Sequence, residues 1–349
     1  MVSPSVIEKA AQPVLGPYNW DRFLATVESY RQEASATLTR DRRAALGQFL
    51  TPQPIASLMA EMLSVKTDKV RLLDPGAGVG SLTASVTAAL CRRPSPPKAF
   101  HAVAYELDSK LVRYLERTMA ECARACEDFG VRFSCEVYDT DFIRAGADLL
   151  HEQGLFGSAG VAFDAAIINP PYVKFRADSR LRHLLRETGI ETSNMYSAFV
   201  WLALKSLPSG GELVCITPRS FCNGPYFKSF RRFLIGAASI QRIHVFESRK
   251  ESFADAKVLQ ENIIMHAVKG AHHGSVTLSK SNGPSLDDVC ERQVDHYRVV
   301  RRDDHSAMLH IAADELDDHV TRQVTALPGT LSDLGLEVST GRVVEFRAT

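Results

Sequence analysis

A chain of 349 residues, 45% apolar and 23% charged, is long enough for one large core or two modest ones. Lysine plus arginine and aspartate plus glutamate are each 41, so the formal net charge is zero. That balance excludes a tail-like nucleic-acid binder held by bulk positive charge, although a local basic patch remains open. No stretch approaches the roughly 18 uninterrupted apolar residues of a membrane span, and the N-terminus lacks a basic start followed by an apolar run. Seven scattered cysteines form no disulfide framework, so reduced thiols in a cytoplasmic protein are expected. Cys122 and Cys126 are four apart with no completing Cys/His pair, and no metal site is expected.

In chain order, residues 1–46 read as a helical leader, with a helix from Asp21 to about Arg43. GQFLTPQP (47–54) interrupts it, and Pro54 falls where a first helical turn accepts proline before IASLMAEML continues. The chain then alternates. Strands are expected at 70–74, 100–106, 131–139, 163–169, 211–218, 240–246 and 259–268. Helices are expected at 81–90, 109–128, 194–207 and 226–235. Strands separated by helices of this length imply βαβ units and a mostly parallel sheet with helices on both faces. Past residue 270 the periodicity weakens, and a domain boundary is expected there.

Two strings carry chemistry. In IINPPYVKF (167–175) an apolar strand runs into Asn169-Pro170-Pro171-Tyr172. The prolines stiffen the turn and remove donors, which leaves carbonyls and the Asn and Tyr side chains at the strand's carboxyl end. Such a turn suits a planar substrate with an exocyclic amine. The Asn169 carbonyl and the Pro170 backbone carbonyl accept its two hydrogens, and Tyr172 stacks on the ring. A plain proline-rich surface turn is the alternative. In LLDPGAGVGSL (72–82), Asp74 ends a strand and Gly76, Gly78 and Gly80 open a turn into a helix. An acid before the glycines repels pyrophosphate and receives an ammonium group, which favours S-adenosylmethionine over a dinucleotide. Glu106 at the next strand tip suits ribose hydroxyls. In YDTDF (138–142), Asp141 suits an adenine amino group with Phe142 beside it, and Asp139 competes for the same role.

The ordered set GQFLTP, DPGAGVG, an acid after the second strand, DTDF and NPPY resembles the gamma-class adenine-N6 DNA methyltransferases. The flanking GELVCITPRSF (211–221) and FESRKESFADAKVLQENII (246–264) are similar to the BsuBI/PstI restriction–modification type. The resemblance covers roughly residues 45–270, and the tail's VSTGRVVEFR looks like the entry to a DNA-recognition region. It implies a Rossmann-like, seven-stranded, mostly parallel sheet of the class I methyltransferase type. S-adenosylmethionine would be the methyl donor and duplex DNA the substrate, with a cognate restriction endonuclease acting separately at the same site. The domains would be a leader at 1–46, a catalytic domain at 47–270 and a partial target-recognition region at 271–349. Carried over, Thr51 and Pro52 would sit against the methionine end of the cofactor, with Asp74, Gly76 and Gly78 on its amino-acid portion. Glu106 would hold the ribose, and Asp141 and Phe142 the adenine. Asn169 and Pro170 would orient the target amine, Tyr172 would stack the flipped base, and Phe253 would close its other face.

Local charge fits a DNA partner. Lys174, Arg176, Arg180, Arg182 and Arg186 follow the turn, and a second basic run spans 218–250, interleaved with Phe221, Phe227, Phe230 and Phe233. Cations beside a base-binding turn hold phosphates, whereas the phenylalanines suit a core. A protein-glutamine or RNA N-methyltransferase is the nearest alternative, because NPPY positions any planar amide or amine. A non-catalytic DNA-binding subunit that kept the fold is another.

Overall fold

The computed structural model describes residues 5–8, 18–38, 49–153, 163–176, 179–247, 261–270, 274–283, 286–301, 304–312, 314–329 and 331–336. Its backbone elements follow the expected alternation. Strand β1 (Ser5–Glu8) precedes α1 (Trp20–Thr37) and α2 (Gln53–Glu61), the latter with proline in its first turn. Then come β2 (Lys69–Pro75), α3 (Ser81–Cys91), β3 (Ala99–Glu106), α4 (Ser109–Asp128), β4 (Arg132–Asp139) and α5 (Phe142–Gln153). After β5 (Ala165–Ile168), α6 (Arg180–Glu187), α7 (Met195–Ser206) and β6 (Glu212–Pro218), two 3-10 turns lead to α8 (Lys228–Ala237). Strands β7 (Ala238–Phe246), β8 (Asn262–Lys269), β9 (Ser275–Ser281) and β10 (Cys290–Asp295) complete the sheet.

The strand order is β1-β4-β3-β2-β5-β6-β8-β7-β9-β10. Strands β4, β3, β2, β5 and β6 pair in parallel, and β8 runs antiparallel between β6 and β7. Side chains alternate across this sheet and divide the interior in two. Leu72, Ala102, Ile167 and Val214 face one core with α1 to α4, whereas Leu73, Val103, Ile168 and Leu213 face the other with α5 to α8. The result is a helix–sheet–helix sandwich. Burial of the central strands on both faces explains their near-continuous apolar sequence.

One expectation is corrected. The sheet has ten strands among the described residues rather than seven, because β1 adds to β4 at one edge and β9–β10 to β7 at the other. By backbone packing the first compact unit runs to Ile311, and the second comprises 312–349. Strand β9 escaped detection because one of its buried faces is polar. Val276 and Leu278 point into apolar packing, but Ser279 and Ser281 bond the two ring nitrogens of buried His244 at 2.9 and 3.1 Å. Helix α1 packs Phe23, Leu24 and Val27 into the first core and so belongs to the same unit. Among its described residues the second unit holds an α-helix (Glu315–Thr325), capped by Asp314 through the Asp317 N–H at 2.8 Å. Among the described residues no helix is long and apolar enough to cross a membrane.

Candidate active site at the carboxyl edge of the sheet

Strands β2, β3, β4 and β5 end together at one edge, and the chain order reverses between β2 and β5. Such a switch point leaves a crevice where ligands settle in open α/β sheets. Here the turn after β2 curls back, since Gly76 and Ala77 both donate to the Tyr105 carbonyl, at 2.8 and 2.9 Å. Gly78 and Gly80 have φ of +60° and +87°, a region that suits glycine. A Cβ on Gly78 would lie 2.9 Å from Leu50 Cδ2, and one on Gly80 2.9 Å from Leu115 Cδ1. The turn is therefore packed between the 49–51 loop and α4.

Glu106 ties this turn to the end of β3. Its carboxylate oxygens accept from the backbone N–H of Gly78 and of Asp108, each at 2.8 Å. Burial raises its pKa, against the pull of those backbone donors. Asp74 lies deeper and is fully buried. Its Oδ2 accepts from Thr83 Oγ1 at 2.7 Å, while Oδ1 has no hydrogen-bond partner. Burial pushes the Asp74 pKa up to about 7, opposed by the Thr83 bonds and aided by the charge of Glu106.

A cleft of about 130 Å³ opens over this edge. Among the residues singled out in the sequence, it is lined by Gly76, Gly78, Glu106, Asp141, Phe142 and Asn169. Asp141 both lines the cleft and caps α5, accepting the Ile143 N–H at 2.8 Å, whereas Asp139 is exposed and outside it. Phe142 stands edge-on to Tyr105, with ring centroids 5.3 Å apart, and 5.2 Å from Phe199. Thr51, Pro52, Asp74, Pro170 and Tyr172 are not among the lining residues. Asp74 supports the turn from behind it. Sequence reasoning missed Leu50, Leu111, Thr140 and Phe199, which also form the wall. Leu111 and Thr140 follow the acidic strand ends by a few residues and were findable from that spacing. Phe199 was not, because α7 is buried almost all round.

Asn169 is held from the other side of the site. Its Nδ2 donates to the Phe49 carbonyl at 2.7 Å and to Thr51 Oγ1 at 2.9 Å. A backbone carbonyl only accepts, so this pair of partners fixes which end of the amide is nitrogen. The other end, Oδ1, is buried and without a hydrogen-bond partner. Tyr172 packs half-buried against the second core, its ring centroid 5.7 Å from Phe49 and 6.3 Å from Tyr196, and its hydroxyl donates to the Ile216 carbonyl at 3.3 Å. Burial holds its phenol well above the ordinary range. Phe253, Gln48 and the VSTGRVVEFR segment lie outside the described residues.

The two basic runs differ in character. Lys174, Arg176 and Arg180 are exposed just after the NPPY turn, and Arg186 pairs with Glu191 at 3.4 Å. In the second run Arg231 is only 1% exposed and donates to the carbonyls of Phe221, Gly224, Ser306 and Ala307. It is an internal strut, and its place in a phosphate-facing cluster is withdrawn. Arg242 pairs with Glu291 and Arg219 with Glu261. Phe221 and Phe230 are buried and Phe227 and Phe233 pack beside them, as a core reading requires.

Comparisons with known proteins agree with the motifs. A family model for the Eco57I restriction-modification methylase matches residues 115–253. The chain is 40% identical over 322 residues to the type II methyltransferase M.PstI of Providencia stuartii, covering 92% of this chain and 62% of that one. It is 37% identical over 328 residues to the type II methyltransferase M.BsuBI of Bacillus subtilis, covering 93% and 64%. The solved structure of a putative class I S-adenosylmethionine-dependent methyltransferase from Listeria monocytogenes shares the fold. It superposes with a TM-score of 0.55 at 16% identity over 78% of this chain and 76% of that one. The chain spans a little under two thirds of the length of the curated relatives it matches. Along nearly all of its own length it is similar to the type II methyltransferases M.PstI and M.BsuBI, and its fold is that of the class I S-adenosylmethionine-dependent methyltransferases.

Proposed function

We propose that this chain carries the catalytic machinery of a DNA methyltransferase that modifies N6 of adenine. The observation that carries the reading is Asn169: a half-buried side chain with both amide N–H groups held by the 49–51 loop and its carbonyl oxygen buried without a partner. Leaving a buried acceptor unpaired costs about 1–3 kcal/mol, which an incoming N–H donor recovers. An exocyclic amine supplies such a donor. With the Pro170 carbonyl taking the second hydrogen, the nitrogen lone pair is drawn out of conjugation with the ring. That is stabilisation of charge developing in the transition state, together with positioning.

The residues present fit S-adenosylmethionine. The glycine turn gives backbone access at Gly76 and Gly78, Glu106 lines the cleft with a carboxylate that suits ribose hydroxyls, and Asp141 with Phe142 offers an acceptor and a ring for adenine. When bound, that cofactor supplies a methyl group activated on a sulfonium. Leu111, Phe142 and Phe199 form apolar wall around it and keep water from the reacting edge. DNA as acceptor is supported by the restriction-modification names of the relatives and by exposed Lys174, Arg176 and Arg180 beside the turn. A base paired in a duplex is out of reach, so the adenine would be flipped, with Tyr172 stacking on it and Phe253 assigned to its other face. A separate restriction endonuclease would cut the unmodified form of the same site, and the reaction would take place in the cytoplasm.

Asn169→Ala tests the reading. Turnover in a methyl-incorporation assay should fall about a hundredfold or more, while S-adenosylmethionine affinity stays within a few-fold of wild type. Nucleoside mass spectrometry of the treated DNA should find N6-methyladenine. Equal loss of turnover and cofactor affinity, or methyl groups on cytosine, RNA or protein instead, would overturn it.

A further inference from the structure

The resemblance places Thr51 against the cofactor, yet its hydroxyl oxygen is 2.9 Å from Asn169 Nδ2, and Thr51 does not line the cleft. We propose that Thr51 is a positioning residue, whose part is to fix the Asn169 amide with its oxygen toward the target amine. This rests on the functional reading above for its catalytic meaning, though not for its geometry.

An asparagine amide has two senses related by a half-turn, and they present opposite chemistry at the same point: one an acceptor, the other a donor. Only the acceptor sense serves an amine that must give up two N–H bonds. The Phe49 carbonyl, at 2.7 Å, excludes the wrong sense by lone-pair repulsion. It engages one of the two amide hydrogens, and Thr51 engages the other. With both hydrogens tied, the amide plane cannot swing about a single bond. Electron density drawn toward the two acceptors also polarises the amide cooperatively. Thr51 is itself only 6% exposed and sits just before α2, so the hydroxyl is presented from a rigid helix start.

The same three-residue loop reaches the cofactor side, where Leu50 packs against the Gly78 turn. Thr51 therefore lies where a cofactor-contact role and a positioning role predict different outcomes. Thr51→Val keeps the shape and removes the hydroxyl, and Thr51→Ser keeps the hydroxyl. Positioning predicts that Thr51→Val lowers kcat on the order of tenfold or more with little change in S-adenosylmethionine Kd, and that Thr51→Ser recovers most of the loss. A parallel fall in cofactor affinity would overturn it in favour of cofactor contact.

A second measurement stands apart from activity. In the chain labelled with 15N-asparagine, the Asn169 side-chain amide should show two hydrogens protected from solvent exchange. Thr51→Val should release one of them and leave the other, held by the Phe49 carbonyl. Unchanged shifts and protection for both hydrogens in Thr51→Val would overturn the positioning role even if no DNA were methylated. Wild-type chain that shows the protected pair yet transfers no methyl group to DNA would instead count against the functional reading alone.

Discussion

Replacing Asp74 by asparagine should remove a pH dependence that the fold builds into its own glycine turn. Asp74 is fully buried, keeps one hydrogen bond from Thr83 and leaves Oδ1 unpartnered. Burial is the main reason that its pKa stands at about 7 rather than the ordinary 3.8. In the unfolded chain the group titrates near its ordinary value. Between about pH 4 and pH 7 the folded chain thus holds a proton that the unfolded chain has lost, and stability falls as pH rises through that window. Above about pH 7 the loss is complete and the curve levels. At about 1.4 kcal/mol per pH unit, the gap amounts to roughly 4 kcal/mol. Glu106, also raised by burial, tilts the curve the same way and persists in the variant.

Asparagine carries no charge into the interior and keeps an oxygen for Thr83. The stability of Asp74→Asn relative to wild type should therefore improve by about 2 to 3 kcal/mol between about pH 5 and pH 8. Urea denaturation at several pH values measures this directly, and the difference curve cancels the other titrating groups. Parallel curves for the two proteins would refute the buried-acid account of Asp74.

Two further outcomes follow from the geometry. Tyr172→Phe gives up only a 3.3 Å hydrogen bond to the Ile216 carbonyl and should be mild. Tyr172→Ala removes the stacking ring, worth about 1–3 kcal/mol per base, and should lower kcat/KM on DNA about tenfold or more; equal damage from both would exclude stacking. Arg231→Met preserves the buried stem but strands the carbonyls of Phe221, Gly224, Ser306 and Ala307. It should cost about 3 kcal/mol or more of unfolding free energy. If instead stability held and only DNA affinity fell, Arg231 would belong to the phosphate-facing surface after all.

The sheet was legible wherever apolar character followed the strand. Strands buried on both faces, such as β5 and β6, have nearly unbroken apolar sequence, and the helices between them follow their caps and turns. Strand β9 was hidden because it offers serines to His244, and polar-to-polar burial leaves no hydrophobic period to read. Around the cleft, the lining residues Gly76, Gly78, Glu106, Asp141 and Asn169 could be singled out because they follow strand ends in local order. What local order does not carry is the sign of a residue's environment. Asp74 reads as a ligand-facing acid but is enclosed, and Arg231 reads as a surface cation but is enclosed too. Arg231 depends on carbonyls far along the chain, at Ser306 and Ala307.

Asn169 makes the same point in its strongest form. The group that orients its amide lies 118 residues earlier, before the first parallel strand of the sheet. That loop reaches Asn169 because α1 and α2 pack into the first core on the face shared with α3 and α4. The N-terminal helices therefore do more than lead into the catalytic unit. They carry the loop that touches the glycine turn at Gly78 through Leu50, the Tyr172 ring through Phe49 and the Asn169 amide through Thr51. A perturbation that loosens α1 from the core, with no contact to either ligand, would reach all three through one short segment.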